Sequence, residues 1–255
     1  MTRFGAERRQ QLLDALRDDG RLDASELAAR LGVTGETVRK DLIQLERSGQ
    51  LRRVHGGAVP VEQLSYEPAV SARTGFAAEK AQIARAALAH LPARGSILID
   101  AGSTTAQFAE LLPRDLELTV YTNTLSVALT LVGRPGLTVF TLGGRLRSRT
   151  LAEVDDFAAR SLSEINVDVA LLGTNGLSLD RGLTTPDPAE AAVKRLMLGA
   201  ARRRIFLVDH SKIGLVRGIQ HAQIADVDLL ITDRGLDAEQ RRALEAAGVP
   251  LEHAR

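Results

Sequence analysis

The chain contains no cysteine and no tryptophan. The first absence excludes disulfides, thiolate metal sites and cysteine nucleophiles together, and it fits a reducing compartment. The second, with aromatic residues at only 3%, argues against a platform on which bases could stack. Lysine is scarce as well: of 33 basic residues only Lys40, Lys80, Lys194 and Lys212 are lysines. No run of 18 or more apolar residues occurs, which argues against a membrane span. Met1 to Gln10 is polar and lacks the apolar core of a signal peptide, so the expected compartment is the cytoplasm. The histidines (His55, His90, His210, His221 and His253) show no metal-ligand spacing, and neither a metal nor a cofactor is expected. What remains is a chain of 255 residues, 44% hydrophobic, with a net charge of +1. That length is comfortable for two domains with a sizeable core.

The two halves have different grammar. Residues 1–57 read as short helices with little strand. Leu12, Leu13 and Leu16 form the apolar stripe of a first helix, Arg8 to Arg17. Asp23, three residues before Glu26, opens a second helix over Ser25 to Leu31. Thr34 caps a third that runs to about Ser48, with Val38, Leu42 and Leu45 pointing inward and Gly49 closing it. Leu51 to Val54 is extended, and His55-Gly56-Gly57 turns the chain. Helix, tight turn, helix and a short strand pair make a winged helix-turn-helix. The outward face of its third helix offers Thr34, Glu36, Thr37, Arg39, Lys40 and Gln44, and its wing offers Arg52, Arg53 and His55. Residues 30–57 hold six basic against three acidic residues, whereas the chain beyond residue 57 holds 22 against 23. Positive charge therefore collects where DNA phosphates would lie. The plain alternative is a helical interaction module with a solvated charged face; the order of the elements disfavours it.

Residues 58–79 read as a linker, with Arg73 and Glu79-Lys80 at or just past its far end. From residue 80 to 255, apolar runs alternate with helical stretches, which predicts an α/β domain of about six parallel strands. The runs are Ser96 to Ile99, Leu118 to Tyr121, Leu137 to Leu142, Val167 to Leu172, Arg204 to Val208 and Val227 to Ile231. Each is followed by small, hydrogen-bonding residues. The first leads into Asp100, Gly102, Ser103, Thr104 and Thr105; the second ends in Thr122 and Asn123. The third is followed by Gly143, Gly144 and Arg147, the fourth by Gly173 and Asn175, and the fifth by Asp209 and Lys212. Ligands of open parallel sheets bind outside the carboxyl ends of the strands, so these residues define one candidate pocket.

The Gly-Ser-Thr-Thr turn opening a helix is a phosphate site in physical terms. It is neither a P-loop nor a dinucleotide fingerprint, which favours a small phosphorylated metabolite over a nucleotide. Lys194 and Lys212 are the candidates to neutralise the phosphate. Asp100, Asn123, Asn175, Glu190 and Asp209 are candidates for the sugar hydroxyls. An isomerase using Glu190, Asp209 and Lys212 for acid–base work is the enzymatic alternative. An attached DNA-binding domain has no use in such an enzyme, so no catalytic residue is expected.

These residues resemble the DeoR family of bacterial transcriptional regulators over nearly the full length. Val33 to Leu42 resembles that family's helix-turn-helix signature, and Leu51 to Ala58 its wing. Asp100 to Thr105, Tyr121-Thr122-Asn123, Leu142 to Gly144, Leu172 to Gly176, Glu190 with Lys194, and Asp209 to Lys212 resemble its sensor half. The resemblance implies a winged helix joined to a sugar-phosphate-sensing domain related in fold to ribose-5-phosphate isomerase. It implies a repressor of a sugar operon that a phosphorylated sugar releases from operator DNA; because one winged helix reads only a few base pairs, a homo-oligomer is expected as well. Ala152 to Phe157 and Thr185 to Glu190 resemble a branch associated with fructose operons, which points to a fructose phosphate. Two departures stand out: Lys40 replaces a usual arginine, and Asp155-Asp156 a common Gly-Pro pair.

Overall fold

The computed structural model describes residues 3–47, 51–54, 56–60, 64, 67 and 69–254. They fall into two compact units, Met1–Gln63 and Leu64–Arg255.

The first unit runs α1 (Arg3–Asp19), β1 (Leu22–Asp23), α2 (Ala24–Leu31), α3 (Gly35–Arg47), β2 (Leu51–Val54) and β3 (Gly57–Pro60). Asp23 opens α2 as its sequence position predicts, accepting from Ser25 N at 2.8 Å and Glu26 N at 3.0 Å. Those bonds satisfy two of the N–H groups that a helix start leaves unpaired. Leu12, Leu16, Leu27, Val38, Leu42 and Leu45 meet in one core with Leu22, Leu51 and Ala58. Each fully buried side chain of that size contributes about 1.5–3 kcal/mol. β3 lies between β1 and β2, antiparallel to both. The linker expected from residue 58 therefore begins with a strand, and Ala58 is fully buried. A Cβ on Gly57 would fall 1.6 Å from the Leu22 carbonyl oxygen, so this strand pairing demands glycine there. Ser48, Gly49 and His55 lie outside the described residues.

The second unit begins with α4 (Ala77–Ala87), β4 (Arg94–Ile99), α5 (Ser103–Leu111), β5 (Glu117–Thr122), α6 (Leu125–Leu131) and β6 (Leu137–Thr141). It continues through β7 (Arg145–Leu146), β8 (Glu153–Val154), α7 (Asp156–Ser163), β9 (Val167–Leu172), β10 (Gly176–Ser178) and β11 (Gly182–Thr185). It closes with α8 (Pro188–Ala200), β12 (Ala201–Leu207), β13 (Ile219–Ala222), β14 (Leu229–Thr232), α9 (Ala238–Ala246) and β15 (Leu251–His253). Seven strands pair in parallel in the order β15-β14-β12-β9-β4-β5-β6. The six runs read from the sequence are all present; β15 is an addition. Strand residues alternate between two cores. Ile97, Ile99, Val169, Leu171, Ile205 and Leu207 face the layer holding α4, α5 and α6. Leu98, Ala170, Leu172, Phe206 and Leu230 face the layer holding α7, α8 and α9.

Two small sheets complete the unit: β7 with β8, and β10-β11-β13. The chain order reverses at β4, which has β9 on one side and β5 on the other. This is the switch point at which an open sheet leaves a crevice beyond its carboxyl edge.

Candidate functional site

A cavity lies at that switch point. Its wall takes Gly102, Ser103, Thr104 and Thr105 from the end of β4 and start of α5, and Gly173 and Asn175 from the end of β9. Glu190 and Lys194 come from α8, and Asp209 and Lys212 from the end of β12. Three strand ends and one helix thus bring together ten of the sixteen residues expected to bind an effector. Ala101, Thr174, Leu207 and Val208 complete the wall beside Arg73 and Lys80, which the strand-end pattern missed.

α5 starts at Gly102 with no side chain capping it. The first N–H groups of a helix have no intrahelical acceptor, so this end is a donor cluster for an anion. Asp187 caps α8 instead, accepting from Ala189 N at 2.9 Å and Glu190 N at 3.0 Å. That cap fixes the turn of helix carrying Glu190 and, one turn later, Lys194.

The cavity's electrostatics are asymmetric. Lys194 is buried and pairs with Asp100, which also accepts from Gly173 N at 3.0 Å. Burial pushes the Asp100 carboxyl above the usual carboxylate range, with Lys194 opposing. Its Oδ1 is buried and accepts no hydrogen bond among the described residues. Lys80 donates to the Arg73 and Gly75 carbonyls at 3.0 and 2.6 Å. The Lys212 ammonium has no hydrogen bond or salt bridge among the described residues. Burial lowers the pKa of both lysines; Asp209 relieves each in part, and Glu79 adds to that relief at Lys80. Arg73 lowers each of them further, by repulsion. The pocket therefore gathers more positive charge than its own carboxylates balance, and an anion would complete it.

The remaining expected effector residues stand outside the cavity wall, each for a visible reason. Asp100 lies beneath it as the partner of Lys194. Thr122 donates to the Ile99 carbonyl at 2.7 Å, stitching β5 to β4. Asn123 accepts from Ala101 N at 2.8 Å and shapes the turn after β4. Gly143 donates its N–H to Glu153 at 2.8 Å. Gly144 has φ +111°, and a Cβ there would meet the Val154 carbonyl at 2.3 Å; packing requires the glycine. Arg147 is bound by three carboxylates: Glu67 at 2.8 Å, Asp187 at 3.0 Å and Glu190. Burial opposes its charge, but Glu67 and Glu190 hold its pKa above the ordinary arginine value. Arg147 thus positions Glu190 and is not part of the wall of this cavity.

In the first unit α3 presents Arg39 and Lys40, with side chains 71% and 75% exposed. Both reach Glu36, at 3.6 and 3.8 Å. Exposed pairs of this kind are weak, so either cation can exchange its partner for a phosphate. The Thr34 hydroxyl accepts from Thr37 N at 3.2 Å and shares a bond with the Thr37 hydroxyl at 2.9 Å. These two threonines shape the start of the helix. Asp41, on the inner face, is held by Arg8 at 2.5 Å and Arg9 at 3.5 Å, which fastens α1 to α3. The Arg53 backbone N–H donates to Glu46 at 2.9 Å, tying the wing to α3. Arg52 lies in β2, and only its backbone is described.

Comparison with known protein families agrees with this division. A DeoR-like helix-turn-helix domain matches residues 8–64, and a DeoR C terminal sensor domain matches residues 76–234. The chain belongs to the DeoR family. It is a transcriptional regulator with a helix-turn-helix domain, and the relatives that match it in sequence over nearly the full length are named as transcriptional regulators or repressors. It is 36% identical over 247 residues to the HTH-type transcriptional regulator GlpR of Haloferax volcanii, covering 96% of each chain. It is 31% identical to a putative aga operon transcriptional repressor of Escherichia coli O157:H7, covering 96% of this chain and 93% of that one. It is 31% identical to the HTH-type transcriptional repressor GlcR of Bacillus subtilis, covering 91% and 89%. Among solved structures, ribose 5-phosphate isomerase A of Methanocaldococcus jannaschii overlays 52% of this chain and 53% of its own. That overlay has 18% identity and a TM-score of 0.39. No helix among the described residues is long and apolar enough to cross a membrane.

Proposed function

We propose that this DeoR regulator is a repressor of a sugar uptake or catabolism operon, released from its operator by a phosphorylated sugar, with a fructose phosphate favoured. The buried ammonium groups of Lys80 and Lys212, with the half-buried Arg73, beside the uncapped start of α5 carry this reading. A neutral sugar would bring no counterion to the Lys212 ammonium; a phosphate ester supplies an anion and brings hydroxyls for Asn175, Glu190 and Asp209. Two relatives named as repressors support the sign of regulation.

Arg39, Lys40, Arg53 and the helix end at Thr34 form the surface for DNA, with Arg52 and His55 on the wing. One winged helix reads only a few base pairs, so a homo-oligomer is the working form on DNA. Release requires that the ester bind the DNA-free conformation better; equal affinity for both would shift nothing.

The test is fluorescence anisotropy of the purified protein on its own upstream intergenic DNA at two salt concentrations. Fructose 1-phosphate, fructose 1,6-bisphosphate, fructose 6-phosphate, ribose 5-phosphate and fructose are titrated in turn. Specific, salt-sensitive binding that one ester weakens and fructose does not is the expected result. Binding indifferent to every ester would sink the effector reading.

A further inference from the structure

One side chain outside the expected site bears directly on what the pocket accepts. Glu67 lies four residues beyond the end of the first compact unit and is only 3% exposed. Its carboxylate takes a hydrogen bond from Arg73 Nη2 at 3.0 Å and another from Arg147 Nη2 at 2.8 Å. Its backbone carbonyl accepts from Arg149 Nη1 at 2.6 Å. Three residues on, Val70 N donates to the Arg149 carbonyl at 2.7 Å. Arg73 is therefore shared: it is part of the cavity wall, and it is bound by a carboxylate from this chain. Arg147 extends the same network to Glu190, also in the wall.

Resting on the effector reading above, we propose that Glu67 is the residue that sets the charge requirement of the pocket, an internal carboxylate that a ligand's anionic group must displace from Arg73. A carboxylate brings one negative charge to the guanidinium. A phosphate monoester brings close to two, with three acceptor oxygens. Such an ester, drawn also by Lys80 and Lys212, wins Arg73 from Glu67; a neutral sugar or a monocarboxylate does not. The exchange also ties ligand chemistry to chain connectivity. The segment 67–76 is fastened through Glu67, through the Val70 N–H, and through the Arg73 and Gly75 carbonyls on Lys80. A ligand that occupies Arg73 and Lys80 loosens the stretch that leads from the DNA-binding unit into the sensor.

The experiment uses the full chain and two readouts. Calorimetry compares wild type, Glu67→Gln and Glu67→Asp for inorganic phosphate, fructose 1-phosphate and fructose. Removing the competing charge in Glu67→Gln is expected to tighten ester and phosphate binding roughly tenfold, with fructose unchanged and Glu67→Asp close to wild type. Hydrogen exchange on wild type, which needs no variant to fold, is expected to show faster exchange at Val70 when an ester is bound and no change with fructose. Ester binding by wild type with equal or weaker affinity in a folded Glu67→Gln overturns the proposal while leaving the effector reading intact. So does slower exchange at Val70 on ester binding. Failure of wild type to bind any ester or phosphate overturns both.

Discussion

Arg39 and Lys40 stand with side chains 71% and 75% exposed on α3, each within 4 Å of a single glutamate that is itself in water. Lys194 in the sensor is 4% exposed and bonded to a carboxylate that is fully buried. The same charge does different work in the two places. Exposed cations cost little to desolvate and exchange one counterion for another, which suits a long polyanion such as DNA. Buried cations are organised in advance and partly balanced, and the imbalance that remains defines a place for one small anion. The first unit can lose a surface charge without loss of fold. The second holds its charges in networks whose members support one another.

Arg147→Ala should show the largest effect. It leaves Glu67, Asp187 and Glu190 without their shared cation. Breaking a buried pair from one side costs about 3–5 kcal/mol. Denaturant melts should show the sensor transition falling by that amount and the helix-turn-helix transition unmoved; a loss under 1 kcal/mol would mean water replaces the arginine. Gly57→Ala is the mirror experiment. Its Cβ would overlap the Leu22 carbonyl, and the forced shift of β1 from β3 costs about 3 kcal/mol, felt in the first unit alone. Unchanged operator binding by that variant would show that the wing tolerates a broken pairing.

Arg39→Ala should leave both melts in place and cost operator binding about 1–3 kcal/mol. If the loss is the same on all DNA sequences, Arg39 contacts phosphate; if it relaxes one position, it reads a base. A loss of thermal stability would contradict the picture of an exchangeable surface cation. The pH dependence separates the units again. Burial, with repulsion from Lys194 and Arg195, holds His221 well below its ordinary value near 6.5. The unfolded chain then takes the proton first, so stability present above pH 6.5 is lost as the pH falls below it. The slope from this group reaches about 1.4 kcal/mol per pH unit. The variant His221→Phe should flatten the sensor's pH profile between pH 6.5 and 5; equal slopes would assign the effect elsewhere.

Asp155→Gly is the smallest expected change and the only stabilising one. Asp155 has φ +73° and ψ −159°, a region that only glycine occupies without strain. Relief of roughly 1–3 kcal/mol exceeds the exposed Arg145–Asp155 pair, worth about 0–1 kcal/mol. A net gain near 1 kcal/mol in the sensor melt is expected. A loss would mean the aspartate's ion pair outweighs its backbone.

How legible these units were follows from how local their signals are. Val38, Leu42 and Leu45 recur at helical spacing, and Asp23 caps where a cap is needed, so the helix-turn-helix could be read directly. β3 could not. Gly57 reads as part of a turn and Pro60 as a linker residue, and only pairing with Leu22 and Leu51, far off in sequence, makes a strand of this stretch. In the sensor, six apolar runs were readable because both faces of a central strand are buried. β15 was missed because Leu251-Glu252-His253 is short, polar and at the sheet edge. Arg73 and Lys80 were visible as charges beside a linker, but no local pattern ties them to strand ends more than twenty residues away. Arg147 shows the reverse: it follows a strand end in sequence, yet its charge is spent on three carboxylates.

By itself the sequence determined the periodicities, the caps, the absence of cysteine chemistry and the strand-end clusters, because each depends on residues within a few positions of one another. Tertiary structure alone decided that Arg73, Lys80 and Lys212 crowd one cavity, that Glu67 reaches Arg73 and Arg147, and that Thr122, Asn123 and Gly144 support the pocket from outside. Burial and charge balance are properties of neighbours in space, and the order of strands across the sheet is what makes those residues neighbours.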